Sequence, residues 1–528
     1  MRIFICLSLL SFLILCEPRD VGSETYIRKI RLKRLNVFDK ELEHENNFIY
    51  KTANRLHIVT RERVIRRELL VREGEPFDSM ALYESAKNIR ALPFIGEVYM
   101  DIKNAPGDSV DVDVTTEDLW TTVVGISGEG GGGRYVVSLY ADEKNIAGLG
   151  MAVETTLKFA SDDDNGFSIH AYDNRFLGTR LFTDVWCKDF TFDEQLKLFV
   201  SYPFYKIDTR WSFSCSFNRL KLRKRLFHDG KEFFRYRRDI TSFLLKGIRA
   251  FGKFNRIEPY LQYVYNDNDY GIELMDNPYN VLIPEDEVLS GPGLGFKIYT
   301  LSFATARYLD EFGTTEDLNK HLTFDINTTW SGPTFKGDYE AALLEIKSGF
   351  LQEPIANVYT GFKNIYSCYC NGSTSERIIN KMETAFYFKP STYHLLAVRY
   401  LSVFAWQQQP DYQLVLGGNN GLRGYSDRYF DGCKLALFNF EYRLFTPIEI
   451  FTVGLGAVAF FDAGYVWDDH ERVKIDDLRS DFGLGLRFGL TKSSTARTVR
   501  LDMAWSSDMS DWYISFGTGN LFELARFK

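Results

Sequence analysis

The sequence predicts a mainly β protein: a transmembrane antiparallel β-barrel of about 16 strands, preceded by one small α+β domain. Three observations predict it. The N-terminus carries an apolar run of export-signal length, a long region alternates apolar and polar residues, and aromatic residues make up 16% of the chain. Such an aromatic content suits the two interfacial girdles of a membrane barrel. A large aromatic-rich sandwich or propeller would also contain it.

Residues 1–23 are predicted to be a signal peptide. The apolar run at residues 3–16 follows Met1 and Arg2. It has the length of a signal-peptide core and is too short to cross a bilayer as a helix. Cys16 weakly resembles a lipoprotein cleavage site, but such sites require a small residue where this chain has Leu15. We therefore expect Cys16 to be removed with the signal rather than lipidated.

Residues 24–117 have the pattern of a compact α+β domain in the order β-α-α-β-β. Thr60 is predicted to cap the first helix and Asp78 the second, because both side chains can accept hydrogen bonds from free backbone amides. Five arginines give the first helix region a basic character: Arg61, Arg63, Arg66, Arg67 and Arg72. They form either a solvated helix face, which we favour, or a contact for lipid headgroups or an acidic partner.

Residues 118–528 are predicted to form the barrel. Leu484, Leu486 and Phe488, for example, alternate with glycine and arginine. A period of two residues puts one set on each face of a sheet. A soluble sandwich would bury the apolar set in a core, whereas a membrane barrel turns it toward lipid.

The length and number of strands follow from the same region. Its alternating segments run to about 10 residues, which matches a tilted strand across a bilayer. Allowing roughly 25 residues for each strand with its connection predicts about 16 strands, an even number as bacterial barrels have.

Several kinds of activity find no support in the sequence. A net charge of -8 argues against nucleic-acid binding. Residues 128–133 satisfy G-x-G-x-x-G, but the βαβ context of a nucleotide site is missing. Neither G-x-S-x-G nor H-E-x-x-H occurs, so we expect no enzyme, cofactor or metal. A catalytic site scattered over lumen strands, as in outer-membrane lipases or proteases, stays open. After signal removal we expect five unpaired cysteines: Cys187, Cys215, Cys368, Cys370 and Cys433.

Four C-terminal segments resemble, in order, motifs of the BamA/TamA superfamily of outer-membrane insertases and two-partner secretion transporters. They are Leu422-Arg423-Gly424-Tyr425, Asn439–Arg443, Phe460–Gly464 and Ser480–Arg487. Residues 513–522 resemble the last strand of that superfamily, which typically ends on an aromatic residue. Residues 64–68 and 73–78 resemble its POTRA (polypeptide-transport-associated) domain. The resemblance implies a bacterial outer-membrane barrel with one POTRA domain in the periplasm.

The resemblance also implies which residues act in the lumen. The loop of Leu422, Arg423, Gly424 and Tyr425 is expected to fold inward, and Arg423 is expected to pair with Asp462. The chemistry is suitable, because a guanidinium can bind a carboxylate through two parallel hydrogen bonds. Glu441 and Arg443 share the inward face of their strand. The alternative is an exposed Arg423 and a solvated Asp462.

The first and last barrel strands are predicted to form a seam that opens. The seam residues are Thr121, Val123 and Gly125 on the first strand, and Trp512, Ile514 and Phe516 on the last. Glycines at 128 and 130–133 weaken pairing there, unless they form only a flexible loop. An open seam exposes backbone groups that can template an incoming strand.

The implied function is polypeptide insertion or translocation. The expected partners are outer-membrane lipids, unfolded β-barrel or secreted polypeptides, and periplasmic accessory proteins or lipoproteins, with no nucleic acid. Two alternatives remain: a two-partner-type exporter of one dedicated secreted protein, and a passive porin. A single POTRA-like repeat counts against export, because two-partner transporters usually carry two.

Overall fold

The structure is a computed structural model. It describes residues 25–38, 48–273, 278–372, 374–471, 473–494, 498–506, 508 and 511–527. The predicted signal peptide, with Cys16, lies outside the described residues. Among the residues that the structure describes, no helix combines the length and the apolar character needed to cross a membrane.

The N-terminal domain is a three-stranded sheet covered by helices. Its elements are β1 (Tyr26–Leu35), α1 (Phe48–Leu56), α2 (Glu62–Glu68), α3 (Ser79–Arg90), β2 (Ile95–Ala105) and β3 (Ser109–Asp118). β3 is central, parallel to β1 and antiparallel to β2. Ile27, Ile65, Ile89 and Val112 are fully buried between the sheet and the helices. The predicted β-α-α-β-β order is present, with one additional helix, α1, between β1 and α2.

One of the two predicted helix caps is correct. The side chain of Asp78 accepts hydrogen bonds from the backbone amides of Met80 and Ala81 at the start of α3. The prediction for Thr60 was wrong, because α2 begins at Glu62 and its N-cap, Arg61, makes no side-chain cap. The amide and hydroxyl of Thr60 instead bind Asp118, the last residue of β3.

The remaining strands form a closed antiparallel barrel of 20 strands, so the prediction of about 16 was wrong. The short strands are β4 (Thr122–Gly131), β5 (Arg134–Glu143), β6 (Met151–Ala160), β7 (Gly166–Asp173), β8 (Phe182–Phe190) and β9 (Asp193–Tyr202). The long strands are β10 (Trp211–His228), β11 (Lys231–Arg249), β12 (Asn255–Ile272), β13 (Glu287–Ala306), β14 (Glu316–Ser331), β15 (Ala341–Ile355), β16 (Val358–Asn371) and β17 (Thr374–Ser391).

The barrel closes through a third group of strands. They are β18 (His394–Trp406), β21 (Lys434–Ile450), β22 (Val453–Trp467), β23 (Arg479–Leu490), β24 (Thr498–Ser506) and β25 (Asp511–Thr518). Between β18 and β21, the short strands β19 (Leu414–Leu416) and β20 (Phe430–Gly432) pair with each other outside the barrel sheet.

The error in strand number comes from uneven strand lengths. β4–β9 have 8 to 10 residues each and short connections, so six strands fit within residues 122–202. β10–β17 have 14 to 20 residues each. One average allowance per strand therefore counts too few strands in the first part of the barrel.

The barrel turns its apolar set outward. Leu157, Leu198, Leu261, Leu322 and Leu484 are between 42% and 66% exposed. The alternate positions of the same sheet include buried charged residues such as Glu383, Arg399 and Asp462. This arrangement is the reverse of a soluble sandwich, and it is the face pattern of a barrel surrounded by lipid.

The N-terminal domain docks on one end of the barrel. Arg90 of α3 donates two hydrogen bonds, of 2.9 and 2.7 Å, to the carboxylate of Asp317 at the start of β14. Glu84 accepts from the backbone amide of Ile207 in the β9–β10 connection. The loop between β18 and β21 enters the lumen from the opposite end.

Candidate functional site

The site begins with the alternation of β21 and β22. In β21 the side chains of Asn439, Glu441 and Arg443 are buried on the lumen side, while Phe438 points outward and is exposed. In β22 the side chain of Asp462 is also fully buried. Because Asn439 and Asp462 are opposite each other in the β21–β22 register, the inward polar groups of the two strands are neighbours.

Arg423 lies at the centre of this cluster and is fully buried. Its Nε and Nη2 donate to the two oxygens of Asp462 over 2.8 and 3.0 Å. Its Nη1 donates to Glu441 over 2.8 Å. The guanidinium carbon lies 3.4 Å from the centre of the Phe460 ring, a cation–π contact. The planar fork of arginine therefore holds the loop by two carboxylates and one ring.

A third carboxylate, which the sequence did not predict, also binds Arg423. Asp502 of β24 accepts from Nη1 of Arg423 over 3.2 Å. It also binds Arg487 of β23 over 2.5 Å and Arg500 over 3.4 Å. The available signal was the alternation of Arg500 and Asp502 with apolar residues in β24, which predicts an inward face. Alternation does not show which inward groups meet across the lumen.

The other residues of the loop motif hold its backbone in place. Leu422 and Tyr425 are buried in an apolar cluster with Leu416 and Leu437. Gly424 lies so close to β23 that a Cβ there would be 2.5 Å from the Cβ of Asp481. Glycine is therefore required by the close approach of the loop to the barrel wall.

Arg443 connects the same network to the end of the chain. Its Nε donates to Glu441 over 2.8 Å, and its Nη2 donates to the carbonyl of Phe522 over 2.6 Å. The resemblance implied a last strand continuing to Phe522, but β25 ends at Thr518. The backbone turns at Gly519, where φ is +75°, and Phe522 is buried inside the barrel beside Tyr387.

The first and last barrel strands share a single registered pair, Phe516 with Gly130. By contrast, β24 and β25 are paired over eight positions, and β4 and β5 over ten. The ring of Phe516 lies across Gly128, where a Cβ would be 2.5 Å from Cε2 of the ring. The Phe516 ring therefore contacts β4 where the two strands share only one registered pair.

The predicted seam residues lie on both sides of this junction. Val123 and Gly125 belong to β4, whereas Thr121 precedes that strand and is buried. Trp512, Ile514 and Phe516 belong to β25. The glycine run does not form a long loop, since Gly130 and Gly131 end β4 and only Gly132 and Gly133 form the turn into β5.

The inward loop also contacts both strands of the seam. The backbone amide of Asp427 donates to the carbonyl of Gly132 over 2.8 Å, beside the end of β4. The hydroxyl of Ser426 lies 3.3 Å from that of Tyr513 in β25. The loop that carries Arg423 therefore spans the junction from inside.

This arrangement of charges can hold the inward loop in place and can release it when the ion pairs break. Most of its buried charges are bound to one another, but both carboxylate oxygens of Asp481 are buried with no hydrogen-bond partner among the described residues. No group of three potential metal ligands occurs among the residues that the structure describes. The five cysteines outside the signal are free thiols; two of them, Cys368 and Cys370, have sulfur atoms 3.7 Å apart.

A closed antiparallel barrel with an apolar outer face, and with an arginine-bearing loop anchored in its lumen, defines an outer-membrane barrel protein. Residues 384–522, which contain the loop, its carboxylate partners and β25, match the Omp85 superfamily domain. This C-terminal part of the chain therefore carries an Omp85 superfamily domain.

Comparison with individual proteins gives distant matches. A protein of Treponema pallidum (strain Nichols), assigned as an outer membrane protein assembly factor, is 28% identical over 174 residues, which are 31% of this chain and 19% of that protein. BamA from Haemophilus ducreyi lacking POTRA domains 1–3 aligns with a TM-score of 0.43 and 12% identity, over 95% of this chain and 86% of that one. CdiB from Acinetobacter baumannii aligns with a TM-score of 0.46 and 12% identity, over 94% and 74%.

Proposed function

We propose that this protein inserts polypeptide clients, foremost β-barrel proteins, into the outer membrane through the seam between β4 and β25. The single registered pair of Phe516 and Gly130 carries the proposal. A strand edge with few partners offers unused amide and carbonyl groups, which can bind an incoming strand by β-augmentation. Val124 and Ile126 on β4 are 79% and 72% exposed, so the same edge faces the lipid.

The contents of the lumen favour a lateral route for the client. The inward loop is held by Arg423, and residues 519–527 pack against the inner wall around Tyr387 and Phe445. A polypeptide that crossed through the lumen would have to displace both segments. A strand that pairs at the seam would displace only one pair. This observation supports insertion over passive conduction.

The N-terminal domain, proposed as a periplasmic POTRA domain, would receive the client first. β1 is covered along its outer edge by residues 73–77, through bonds such as Ile27 amide to Glu75 carbonyl. β2 pairs on one side only, with β3, among the described residues. Tyr99 and Ile102 on β2 are 45% and 50% exposed. The open edge of β2 therefore suits an extended client segment.

A disulfide across the seam tests the proposal. The five native cysteines are replaced by serine, and Gly130→Cys with Phe516→Cys supplies the lock, because directly paired strand residues lie within disulfide reach. The control lock is Thr156→Cys with Ser168→Cys, a registered pair of β6 and β7. Insertion of a client barrel into liposomes is measured before and after reduction.

We expect the seam lock to stop insertion until it is reduced, and the control lock to leave insertion intact. Equal insertion by both oxidised proteins would exclude the lateral route. In cells, loss of many outer-membrane barrels after depletion would indicate general assembly, and loss of one secreted protein would indicate dedicated export.

A further inference from the structure

A basic cavity lies where the N-terminal domain meets the connection between β7 and β8. Its volume is about 460 Å³. Five arginines line it: Arg66, Arg67 and Arg72 from the domain, and Arg175 and Arg180 from the connection. Glu73 is the one carboxylate among the lining residues that the structure describes. The two parts fit closely, since a Cβ on Gly178 would lie 2.6 Å from Nη2 of Arg67.

The positive charge of the cavity is only partly balanced. Beneath it lies Glu68, whose side chain is 2% exposed and binds Nη2 of Arg175. Arg67 and Arg180 also act on this carboxylate through space. Burial nevertheless raises the pKa of Glu68 above its usual value. Three guanidinium groups therefore share one acidic side chain that is itself poorly solvated.

Two guanidinium nitrogens in the cavity wall have unused donors. Nε of Arg175 and Nη1 of Arg180 are shielded from solvent and have no hydrogen-bond partner among the described residues. The Arg180 guanidinium stacks on Tyr205 at 4.4 Å, which fixes its plane. Burial and the nearby Arg175 lower the pKa of Arg180. Both arginines therefore have fewer partners than a guanidinium can bind, and an anion in the cavity would lie beside two cations whose charge is only partly neutralised.

The surroundings indicate which anion fits. The tip of the same connection carries Phe176 and Leu177, which are 41% and 84% exposed. The connection joins two barrel strands, so its tip lies at the level where the apolar outer face ends. Apolar side chains beside clustered arginines are the arrangement that binds a lipid, with its chains against the barrel and its phosphate in the basic site.

We propose that this cavity binds the phosphate group of a phospholipid headgroup, at the membrane surface next to the N-terminal domain. Arg67 and Arg180 would contact the phosphate from opposite walls, and Arg175 would remain bound to Glu68. Occupancy would join the domain to both the barrel and the lipid. This inference rests on the cavity alone and does not require the seam to open.

The test uses the full chain purified in detergent and three probes: dioleoylphosphatidylglycerol, dioleoylglycerol and inorganic phosphate. The cavity variant is Arg67→Gln with Arg180→Gln. The control variant, Arg55→Gln with Arg63→Gln, removes the same charge from exposed positions that do not line the cavity. Lipid retention is read by native mass spectrometry, affinity by titration, and folding by heat-dependent mobility on gels.

We expect phosphatidylglycerol to bind the native chain and the control variant alike, with dioleoylglycerol retained far less. The cavity variant should lose affinity by at least about tenfold, since two charge-assisted contacts are removed. If phosphatidylglycerol binds and inorganic phosphate at the same concentration does not, the ligand of the cavity is a lipid. If both bind, the cavity recognises the phosphate group itself. Equal lipid affinity in the cavity and control variants, or equal retention of the two lipids, would overturn the proposal.

Discussion

Nη2 of Arg443 donates to the backbone carbonyl of Phe522 over 2.6 Å. This contact links the segment after the last strand to the network that holds the inward loop, because Arg443 and Arg423 bind opposite oxygens of Glu441. The two segments that occupy the lumen are thus fixed through one carboxylate. Loss of either arginine would leave Glu441 buried with an incomplete set of partners.

Phe522→Ala should loosen the C-terminal segment. Phe522 is 1% exposed and stacks on Tyr387, and truncation of a buried phenylalanine costs about 3–5 kcal/mol. We expect residues 519–527 to leave the wall more often and the ion conductance of the barrel in planar bilayers to rise. Phe451→Ala serves as the control because Phe451 is 78% exposed. Unchanged conductance in both variants would contradict the role of this segment as a plug.

Arg423→Ala should release the inward loop while the barrel stays folded. The substitution leaves Asp462, Glu441 and Asp502 without their shared cation, and breaking a buried ion pair costs about 3–5 kcal/mol. Protease cleavage within residues 407–433 should therefore rise, and client insertion should fall. Arg423→Lys should restore only part of the lost anchoring. The ammonium group of lysine lacks the two coplanar N–H donors with which arginine binds both oxygens of Asp462.

The matched control for this substitution is Arg479→Ala. Arg479 and its partner Asp508 are 43% and 40% exposed, so that pair contributes about 0–1 kcal/mol. If Arg423→Ala showed the protease resistance and full activity of the control, the anchoring role of Arg423 would have to be abandoned.

The sequence predicted some of these contacts and missed others for identifiable reasons. A period of two residues fixes the face of a side chain, so Glu441, Arg443 and Asp462 were expected to point inward. The meeting of Arg423 with Asp462 was expected only from the family resemblance. Asp502 was missed because a contact between a loop and a strand 79 residues later leaves no local pattern.

Two further differences have simple physical causes. Thr60 has a residue type that favours helix caps, but its donors bind the carboxylate of Asp118 instead. Phe522 was assigned to the last strand on its aromatic character, but the backbone turns at Gly519 and buries the ring in the lumen. In both cases a distant partner overrides a local preference.

Gly128→Val should weaken the seam. A Cβ at this position would lie 2.5 Å from the Phe516 ring, so the ring must move away from β4. With Phe516 intact, hydrogen exchange at the backbone amides of β4 and β25 should therefore quicken. Gly247→Val is the control, since a Cβ there has no atom within 4 Å. An equal increase of exchange in β4 and β25 in the control would show that the Phe516 contact is not what holds the strands.

Asp118→Ala should loosen the junction between the N-terminal domain and the barrel. Oδ2 of Asp118 accepts from the amide and hydroxyl of Thr60 over 2.7 and 2.8 Å and lies 3.1 Å from Nε2 of His57. Hydrogen bonds to a charged group contribute about 1.5–3 kcal/mol each. Hydrogen exchange at residues 57–61 and 118–121 should quicken, while Asp108→Ala, in an exposed turn, should leave it unchanged. Equal exchange in the two variants would show that Asp118 does not hold this junction.

The most direct test of the seam is whether an arriving client pairs with β4. A photoreactive amino acid is placed at Ser127, in β4, and in a second protein at Ser168, within β7, which has barrel partners on both sides. Cross-links to a client barrel are then measured during its insertion. Lateral insertion predicts strong cross-links from position 127 that disappear in the oxidised seam lock, with few from position 168. Equal cross-linking at the two positions, or cross-links at 127 that persist in the locked protein, would contradict it.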